Sequence, residues 1–479
     1  MDLARAFIDN FSFIASLYLA NYFLAAVCAA REIMNSRTSQ GSIAWLIALA
    51  VLPFPTTFIY LVFGWKLFDD YAESQTHSGR SWRLARSDDL RIVDNATGEQ
   101  WPVLCRVAEL PFLYGNATSL LVDGDETFAS ILDGISRAKE YILVQFYIVR
   151  HDDLGRKFAD ALIERASAGV DVYVLLDDVG SHKLSHAYKQ RLRDNGVHCY
   201  TFNHRHKFLR LYGPTRMNYR NHRKNVVIDG REAWIGGHNV GDEYMGKDPA
   251  FGRWRDTHVH MSGPAALACA LMFREDWLWS TGTEVPLRFP SDVPTPGDQP
   301  VLVMPTGPAD KLEDCAIAFT EVISRARKRL WIVSPYFVPG IEVQTALYAA
   351  AFRGVDVRIL LPAKADHLLV WLASYAHADQ MVSHEIKVYR YRGGFLHQKV
   401  ILCDDEIAGV GTVNFDYRSF NINFEVTVWM TGTAMTERVA DMLQADFAES
   451  SLTTTAHLKR RPFAFRLACQ GAKLLSPIL

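Results

Sequence analysis

The stretch NHRKNVVIDG (221–230) carries a histidine, a lysine and an aspartate at offsets 0, 2 and 7, and LHQKVILCDD (396–405) repeats that spacing. The six residues concerned are His222, Lys224, Asp229, His397, Lys399 and Asp404. In both copies Asp begins a turn, and an apolar return strand leads to Gly236 or Gly411 and then to Asn239 or Asn414. The pattern H-x-K-x4-D-x6-G-x-x-N therefore predicts two equivalent hairpins, each of which brings Gly and Asn beside His and Lys.

The sequence around these hairpins is itself duplicated. ISRAKEYILVQFYIV (135–149) matches ISRARKRLWIVSPYFV (323–338), and GVDVYVLLDD (169–178) matches GVDVRILLPA (354–363). Amphipathic helices alternate with apolar strands in both halves, which predicts an α/β fold of two duplicated lobes with mixed, mostly parallel sheets flanked by helices. The predicted divisions are a first lobe at 110–285, a Pro-rich linker at 286–309 and a second lobe at 310–457.

Residues 1–66 predict a helical hairpin that crosses a membrane. The run FSFIASLYLANYFLAAVCAA (11–30) is uncharged, and a second uncharged run covers 38–65, where Pro53 and Pro55 predict a kink. A cleaved signal peptide and buried core helices are the alternatives, but two long runs close together favour a hairpin. Two basic residues, Arg31 and Arg37, lie in the short loop between the two runs, whereas a larger set of basic residues lies outside the hairpin. That set is Arg5, Lys66, Arg80, Arg83 and Arg86.

The positive-inside rule then predicts a multi-pass membrane protein with both termini and the large soluble part of the chain in the cytoplasm. A connecting segment (67–109) follows the hairpin. A basic amphipathic tail (458–479) ends the chain, and it is predicted either to lie on anionic lipid or to pack as an ordinary terminus.

Composition limits the partners and cofactors. The 479 residues include 51 basic and 53 acidic side chains, so no overall positive field attracts nucleic acid. Seven cysteines without a C-x-x-C motif predict free thiols rather than disulfides or a zinc site. Clustered carboxylates for Mg²⁺ are also missing from the sequence pattern, so we expect no metal and no cofactor.

Two lobes that meet would place two histidines and two lysines at one site. Lys ammonium groups, Asn amides and backbone N–H groups suit phosphate oxygens, which predicts a phosphate-binding set of Asn239, Asn414, Gly237 and Thr412. One neutral histidine can attack phosphorus while its protonated partner gives a proton to the leaving oxygen, and we expect one imidazole in each state near neutral pH.

Each imidazole needs a carboxylate on its other ring nitrogen, and Asp256 and Glu425 are the candidates that follow the two motifs. Within the motifs themselves, Asp229 and Asp404 are predicted to anchor the hairpins rather than to carry protons. Arg216, Arg220 and Arg223 are predicted either to meet an anionic headgroup or to form a solvated basic face.

The doubled motif resembles the phospholipase D superfamily, and nearly the whole chain resembles its bacterial cardiolipin synthase branch. The segments that carry the closer resemblance are NYRNHRKNVVIDG, GGHNVGDEYMG, WRDTH, SPYFVP, GTVNFDYRSFNINFEV and the terminal SPIL. One departure from the superfamily is that Gly237 and Thr412 stand where a serine is common. The resemblance implies that two phosphatidylglycerols become cardiolipin and glycerol through a phosphatidyl-histidine. It implies that His222 is the nucleophile and His397 the acid, although the two histidines could also have the opposite roles.

Several alternatives remain at this level. The same residues would serve a phospholipase D-type hydrolase, or a transferase to another alcohol. A nuclease is disfavoured by the charge balance and the apolar N-terminus, and a non-catalytic scaffold by two intact motifs. The expected partners are phosphatidylglycerol and membrane lipid, without nucleic acid, and the sequence is compatible with a homodimer.

Overall fold

The computed structural model describes residues 2–36, 39–64, 93–202, 219–287, 293–310, 312–364, 366–454 and 460–476. The described residues belong to two compact units, an N-terminal helical unit (2–64) and a large α/β unit (93–476). Several residues of the sequence-based predictions lie outside the described ranges: Arg37, Lys66, Arg80, Arg83, Arg86, Arg216 and the last three residues of SPIL.

The N-terminal unit contains α1 (Asp2–Met34), α2 (Ser39–Val51) and α3 (Pro53–Phe63). The prolines interrupt the second apolar run as expected, because Pro53 starts a new helix after Leu52 leaves helical geometry. The segment Phe13–Met34 is long and apolar enough to cross a bilayer, and few of its side chains are buried. Among the described residues no second helix meets that test, so the two-helix crossing is not established by the structure.

Polar contacts tie these three helices together. Glu32 is buried and accepts hydrogen bonds from Ser42 Oγ at 2.7 Å and from Tyr60 Oη at 2.9 Å. Tyr60 also packs edge-on against Trp45, with ring centroids 5.2 Å apart. A buried carboxylate with two donors is a satisfied one, so this cluster fixes how the helices of the unit pack.

The first lobe of the α/β unit follows two short helices and alternates strands with helices. Its elements are α4 (Asn95–Gln100), α5 (Pro102–Ala108), β1 (Leu113–Val122), α6 (Asp123–Arg137), β2 (Tyr141–Phe146), α7 (Asp153–Ser167), β3 (Asp171–Asp177), α8 (His186–Asp194), β4 (His198–Phe202), β5 (Asn225–Ile228), β6 (Glu232–Gly236), β7 (Trp254–Arg255), β8 (Thr257–Ser262) and α9 (Ala265–Thr281). Helix α7 begins where Asp152 caps the Gly155 N–H, and the chain leaves it at Gly169, whose φ is +90°.

The second lobe repeats this order. Its elements are β9 (Gln299–Thr306), α10 (Asp314–Arg325), β10 (Arg329–Val333), β11 (Phe337–Val338), α11 (Ile341–Phe352), β12 (Asp356–Pro362), α12 (Leu368–Val382), β13 (Lys387–Tyr391), β14 (Phe395–Leu396), β15 (Val400–Cys403), β16 (Ile407–Gly411), β17 (Phe415–Asp416), α13 (Tyr417–Asn421), β18 (Glu425–Thr431), α14 (Thr433–Ala448), β19 (Ser450–Thr453) and α15 (Phe463–Leu474).

Fifteen strands of the described chain form one continuous sheet, in the order β19-β13-β12-β10-β15-β16-β18-β9-β1-β8-β6-β5-β2-β3-β4. Strands β1 and β9 pair antiparallel at the centre, and the order on one side of that pair repeats on the other. Strand β2 is buried at all six positions and β18 at all seven, as expected for a sheet covered on both faces. The duplication predicted from sequence is therefore realised as two halves of a single sheet.

The expectation of mostly parallel sheets was wrong, although the sheet is mixed. Within the fifteen-stranded sheet of the described chain, parallel pairing is confined to β2-β3-β4 and β10-β12-β13. The motif hairpins β5-β6 and β15-β16 and the strands that follow them are antiparallel. Short turns such as the one at Asp229 can join only antiparallel neighbours, whereas the helical crossovers lie in the first part of each lobe.

Two predicted boundaries also need correction. The end of the predicted linker (286–309) contains β9, because 299–306 pair with both β1 and β18 at the centre of the sheet. The predicted connecting segment (67–109) contains α4 and α5, and the ring of Trp101 between them is fully buried. Proline content could not reveal that the chain joins the sheet again at residue 299.

Candidate functional site

The two motif segments lie where the lobes meet, and each is held by backbone pairing to the other lobe. Strand β14, just before His397, pairs parallel with β7, and the His397 N–H donates to Arg255 O at 2.8 Å. In the same way, the His222 N–H donates to Phe424 O at 2.9 Å. Each histidine therefore enters the site directly beside the segment that precedes the other lobe's carboxylate.

The carboxylates that orient the histidines are exchanged between the lobes. His222 Nδ1 lies 2.8 Å from Oε2 of Glu425, and His397 Nδ1 lies 2.7 Å from Oδ2 of Asp256. Both carboxylates are completely buried. With a carboxylate at Nδ1, Nε2 is the ring nitrogen of each imidazole that can react, and neither half-site is complete without the other lobe.

The lysines of the motifs are buried next to the histidines. Lys224 Nζ donates to His222 O at 2.7 Å and lies 5.6 Å from the centre of the Tyr147 ring. Lys399 Nζ lies 2.8 Å from Nδ1 and 3.0 Å from Nε2 of His397. Two buried ammonium groups between two imidazoles form a compact cationic site, which suits a phosphate anion.

Burial dominates the ionisation of this site. It lowers the pKa of His222 to about 4, although Glu425 opposes the shift and Lys224 adds to it. The pKa of His397 falls well below its usual range, because burial acts together with Lys399 and Lys224. Burial also lowers the pKa of Lys224 to about 7 and that of Lys399 to about 8. These shifts favour two neutral imidazoles rather than the expected mixed pair, and an anionic phosphate bound beside them would raise all four pKa values.

Asp229 and Asp404 each hold the turn of a motif hairpin against the backbone of a neighbouring segment. Asp229 accepts hydrogen bonds from the backbone N–H groups of residues 139, 140 and 141 at 2.8–2.9 Å. Asp404 accepts the same three bonds from residues 327, 328 and 329. Both aspartates adopt positive φ (52° and 53°), a conformation in which Asp is among the tolerated residues. They join each hairpin to the start of the neighbouring strand β2 or β10.

The predicted phosphate-binding residues divide into two kinds. Asn414 Oδ1 is buried and has no hydrogen-bond partner among the described residues, whereas Asn239 Oδ1 accepts from the Ile148 N–H at 3.0 Å. Gly237 lies against the carboxylate of the first lobe: a Cβ there would be 2.0 Å from Oδ1 of Asp256. Thr412, at the equivalent place, accepts a hydrogen bond from the Val426 N–H at 2.9 Å. The hydroxyl of Thr412 also helps to lower the pKa of Glu425, where the effect of His222 and Lys224 outweighs burial.

The residue between His and Lys has a structural role. Arg223 is buried, forms an ion pair with Asp276 at 2.8 Å and donates to Glu425 O at 2.9 Å. Gln398 takes the same place in the second motif and donates to Asp446 at 2.8 Å. Arg223 is therefore not a headgroup residue, since its guanidinium is enclosed by acceptors. Of the three predicted arginines only Arg220 is described and partly exposed.

Sequence reasoning missed the aromatic walls of the site. Tyr147 packs edge-on against His222 at 5.0 Å, and Trp254 lies 5.1 Å from His397. Tyr336, the counterpart of Tyr147, donates to the carboxylate of Asp366. Both tyrosines lie near the ends of the repeated stretches 135–149 and 323–338, so the duplication itself was the available signal.

A buried histidine pair breaks the symmetry between the lobes. His238 Nδ1 lies 3.1 Å from His258 Nδ1, and both side chains are inaccessible to solvent. Burial lowers the pKa of each to about 3, so both are neutral. Among the effects on His238 are the charges of Asp256 and His397, which places the pair behind the Asp256 half-site.

The duplicated lobes, with two H-x-K segments that share one buried site, define a phospholipase D-type protein. A model described as "Cardiolipin synthase, PLD-like domain" matches residues 131–248 and 319–449, and a "Phospholipase_D-nuclease N-terminal" model matches 23–65. The chain belongs to the cardiolipin synthase family of this class.

Individual relatives agree with the family models. A protein named "Cardiolipin synthase A" from Pseudomonas aeruginosa (strain LESB58) is 41% identical over 100% of this chain and 98% of its own length. One of the same name from Pseudomonas fluorescens (strain Pf-5) is 40% identical over 96% and 97%. Among solved structures, phosphatidylserine synthase from Haemophilus influenzae aligns with a TM-score of 0.62 at 15% identity. That alignment covers 80% of this chain and 100% of that one, and it supports the fold alone.

Proposed function

We propose that this protein is a cardiolipin synthase, which transfers a phosphatidyl group from one phosphatidylglycerol to another and releases glycerol. The observation that carries the proposal is the single buried site of two histidines, each held by a carboxylate from the opposite lobe. Support comes from relatives named cardiolipin synthase, about 40% identical over nearly the whole chain. Two histidines of this kind suit a reaction in two steps, in which one is the nucleophile and the other acts first as acid and then as base.

In the first step, Nε2 of His222 attacks the phosphorus of the donor lipid while Glu425 holds the proton at Nδ1. The P–N bond forms and the bond from phosphorus to the glycerol oxygen breaks. His397, protonated once the anionic phosphate has raised its pKa, gives a proton to that oxygen, so that neutral glycerol leaves. Phosphatidyl-His222 and neutral His397 remain.

In the second step, Nε2 of His397 removes a proton from the primary hydroxyl of the second phosphatidylglycerol. Its oxygen attacks the phosphorus, the P–N bond breaks, and His222 is released unchanged. Cardiolipin leaves and His397 is again protonated. The choice of His222 as nucleophile follows from the resemblance, and exchange of the two roles would leave the balance of atoms the same.

Four side chains would stabilise the charge that develops on the phosphorane oxygens. Lys224 and Lys399 supply ammonium groups next to the histidines, and Asn239 and Asn414 supply amides. Fixed donors in a buried site are most effective in the transition state, because they need no reorganisation. Gly237 and Thr412 instead act as positioning residues, since both contact the carboxylates that hold the histidines or their flanking backbone.

The N-terminal unit would keep the enzyme at its substrate. Helix α1 can cross a bilayer, and we propose that α2 and α3 together form a second crossing that is kinked at Pro53. Orientation by the positive-inside rule would then place the catalytic unit in the cytoplasm, in a multi-pass inner-membrane protein. A diacyl lipid leaves the bilayer at a cost of about 0.8 kcal/mol per CH₂, so an enzyme that stays at the surface avoids extracting it.

Product analysis tests this function directly. The purified full-length protein is incubated with phosphatidylglycerol in detergent with a metal chelator. The lipids and glycerol are then quantified, with His222→Ala and His397→Ala as inactive controls. Cardiolipin and glycerol in equal amounts are the expected result. Phosphatidic acid without cardiolipin would identify a hydrolase instead. Failure to form any product, even when alcohol acceptors are added, would contradict the proposal.

A further inference from the structure

The C-terminal helix α15 is apolar on two opposite sides. One side packs against α12: Cys469 and Ala472 are buried there, and Phe465 lies 5.5 Å from the ring of Tyr375. The opposite side carries Phe463, Leu467 and Leu474, which are 76%, 60% and 83% exposed. These three residues are spaced four and seven apart, which places them in one stripe along the helix. Packing in the fold accounts for the first side and leaves the second without a partner among the described residues.

Helix α12 extends this apolar surface toward the active site. Its first two residues, Leu368 and Leu369, are 66% and 42% exposed. Leu368 lies one helical turn before Leu372, whose side chain packs against the buried side of α15. The two leucines therefore continue the face of α12 on which α15 lies.

The start of α12 is also part of the mouth of the site. Asp366, just before the helix, accepts the hydrogen bond of Tyr336, and its charge acts on Lys399. His367 is 71% exposed at its side chain, and its charge contributes to the low pKa of His397. The exposed leucines thus directly follow Asp366 and His367, which both lie against Tyr336 in the second lobe.

Basic side chains border the stripe. Arg460, Arg461 and Arg466 are exposed at the start of α15, although the chain as a whole has a net charge of −2. A cavity of about 240 Å³ at the edge of the α12–α15 contact reaches the stripe, since Arg461, Arg466, Phe463 and Leu467 line it together with Tyr375 of α12. Apolar residues flanked by arginines are complementary to a bilayer surface whose headgroups are anionic.

We infer that this docking face, formed by Phe463, Leu467 and Leu474 of α15 with Leu368 and Leu369 of α12, inserts into the surface of a bilayer rich in anionic phospholipid. Its occupant is the lipid surface itself, and its effect is to hold the mouth of the site against the membrane. The inference adds a second membrane contact to the proposed function, and binding at this face requires no turnover.

The test places an environment-sensitive probe on the face. All seven native cysteines are free and six are buried, so Cys105→Ser leaves a chain suited to single labelling. Leu467→Cys receives a nitrobenzoxadiazole fluorophore, and Leu312→Cys, which is 67% exposed on a loop outside the face, is the matched control. The full-length proteins are placed singly in nanodiscs of phosphatidylcholine, with or without phosphatidylglycerol, and nitroxide-labelled lipid acts as the quencher.

We expect a blue-shifted Leu467 probe whose quenching exceeds that of the Leu312 probe about threefold in the anionic nanodiscs. Equal quenching at the two positions would overturn the inference, and so would equal quenching of the Leu467 probe with and without phosphatidylglycerol. Protection of Leu467 only when two copies share a nanodisc would assign the face to a second copy and contradict lipid docking. Because the readout does not involve catalysis, an inactive but docked protein would refute the proposed function and not this inference.

Discussion

Glu425→Gln should nearly abolish catalysis although it changes a residue of the second lobe that is 203 positions away from His222. In the structure the Glu425 carboxylate lies 2.8 Å from His222 Nδ1 and is completely buried. Gln keeps the volume and removes the charge. The perturbation therefore isolates the electrostatic contribution of the exchanged carboxylate.

The magnitude follows from Coulomb's law. When His222 becomes positively charged as the P–N bond forms, unit charges about 4 Å apart at an effective dielectric constant of about 20 attract by about 4 kcal/mol. Loss of that attraction in the transition state corresponds to about a 1000-fold decrease in kcat/KM. Glu342→Gln, the same change at an exposed site of the second lobe, should leave the rate unchanged.

The pH profile of kcat/KM for donor lipid gives a second readout. Glu425 raises the pKa of His222 against burial, so its replacement lowers that pKa. If His222 is the nucleophile it must be neutral, and the acidic limb of the profile moves to lower pH. If His222 is the acid it must be protonated, and the alkaline limb moves to lower pH instead.

Both variants should be assayed with phosphatidylglycerol by following radiolabelled glycerol release, after circular dichroism has confirmed that they are folded. A Glu425→Gln enzyme within about tenfold of the parent would refute the reasoning, because the buried charge would then contribute little to the transition state. A large loss without movement of either limb would show that Glu425 acts on the packing of the site rather than on His222.

Three further changes test the supporting contacts. Arg223→Ala should lower the free energy of unfolding by about 3–5 kcal/mol in urea titrations, because the buried Asp276 carboxylate would lose its ion pair; a loss below about 1 kcal/mol would contradict this. Asp404→Ala should destabilise the fold by about 3 kcal/mol, because three backbone N–H groups lose their acceptor. The folded fraction should keep its kcat. A loss of activity in fully folded protein would contradict the anchoring role of Asp404. Gly237→Ala would place a Cβ 2.0 Å from Oδ1 of Asp256. The displaced carboxylate should reduce kcat/KM about 100-fold with little change in melting temperature. Unaffected kinetics would show that the carboxylate can move without consequence for catalysis.

The local features of the fold were predictable because short-range chemistry decides them. The turn at Asp229, the return strand and the approach of Gly237 and Asn239 to the motif all depend on a few consecutive residues. The second hairpin follows the same pattern with the same anchoring aspartate, Asp404. The break at Pro53 is also local, since a proline cannot donate its backbone hydrogen bond within a helix.

The single sheet was not predictable in the same way. Alternating helices and strands correctly indicated the parallel strands β2-β3-β4 and β10-β12-β13, but pairing between distant strands leaves no periodic signal. Strand β9 lies in a proline-rich region and nevertheless occupies the centre of the sheet between β1 and β18. Its place depends on both lobes having folded around it.

By itself the sequence determined the duplication, the two hairpins and the residues proposed for the site, since each of these follows from local spacing or from repetition. Only the tertiary structure decided how the parts combine. It gave Glu425 to His222 and Asp256 to His397 across separations of 203 and 141 residues, and it enclosed Arg223 against Asp276. The physical reason is that such pairs depend on which surfaces of two lobes come together, and contacts of that range arise from packing rather than from any pattern along the chain.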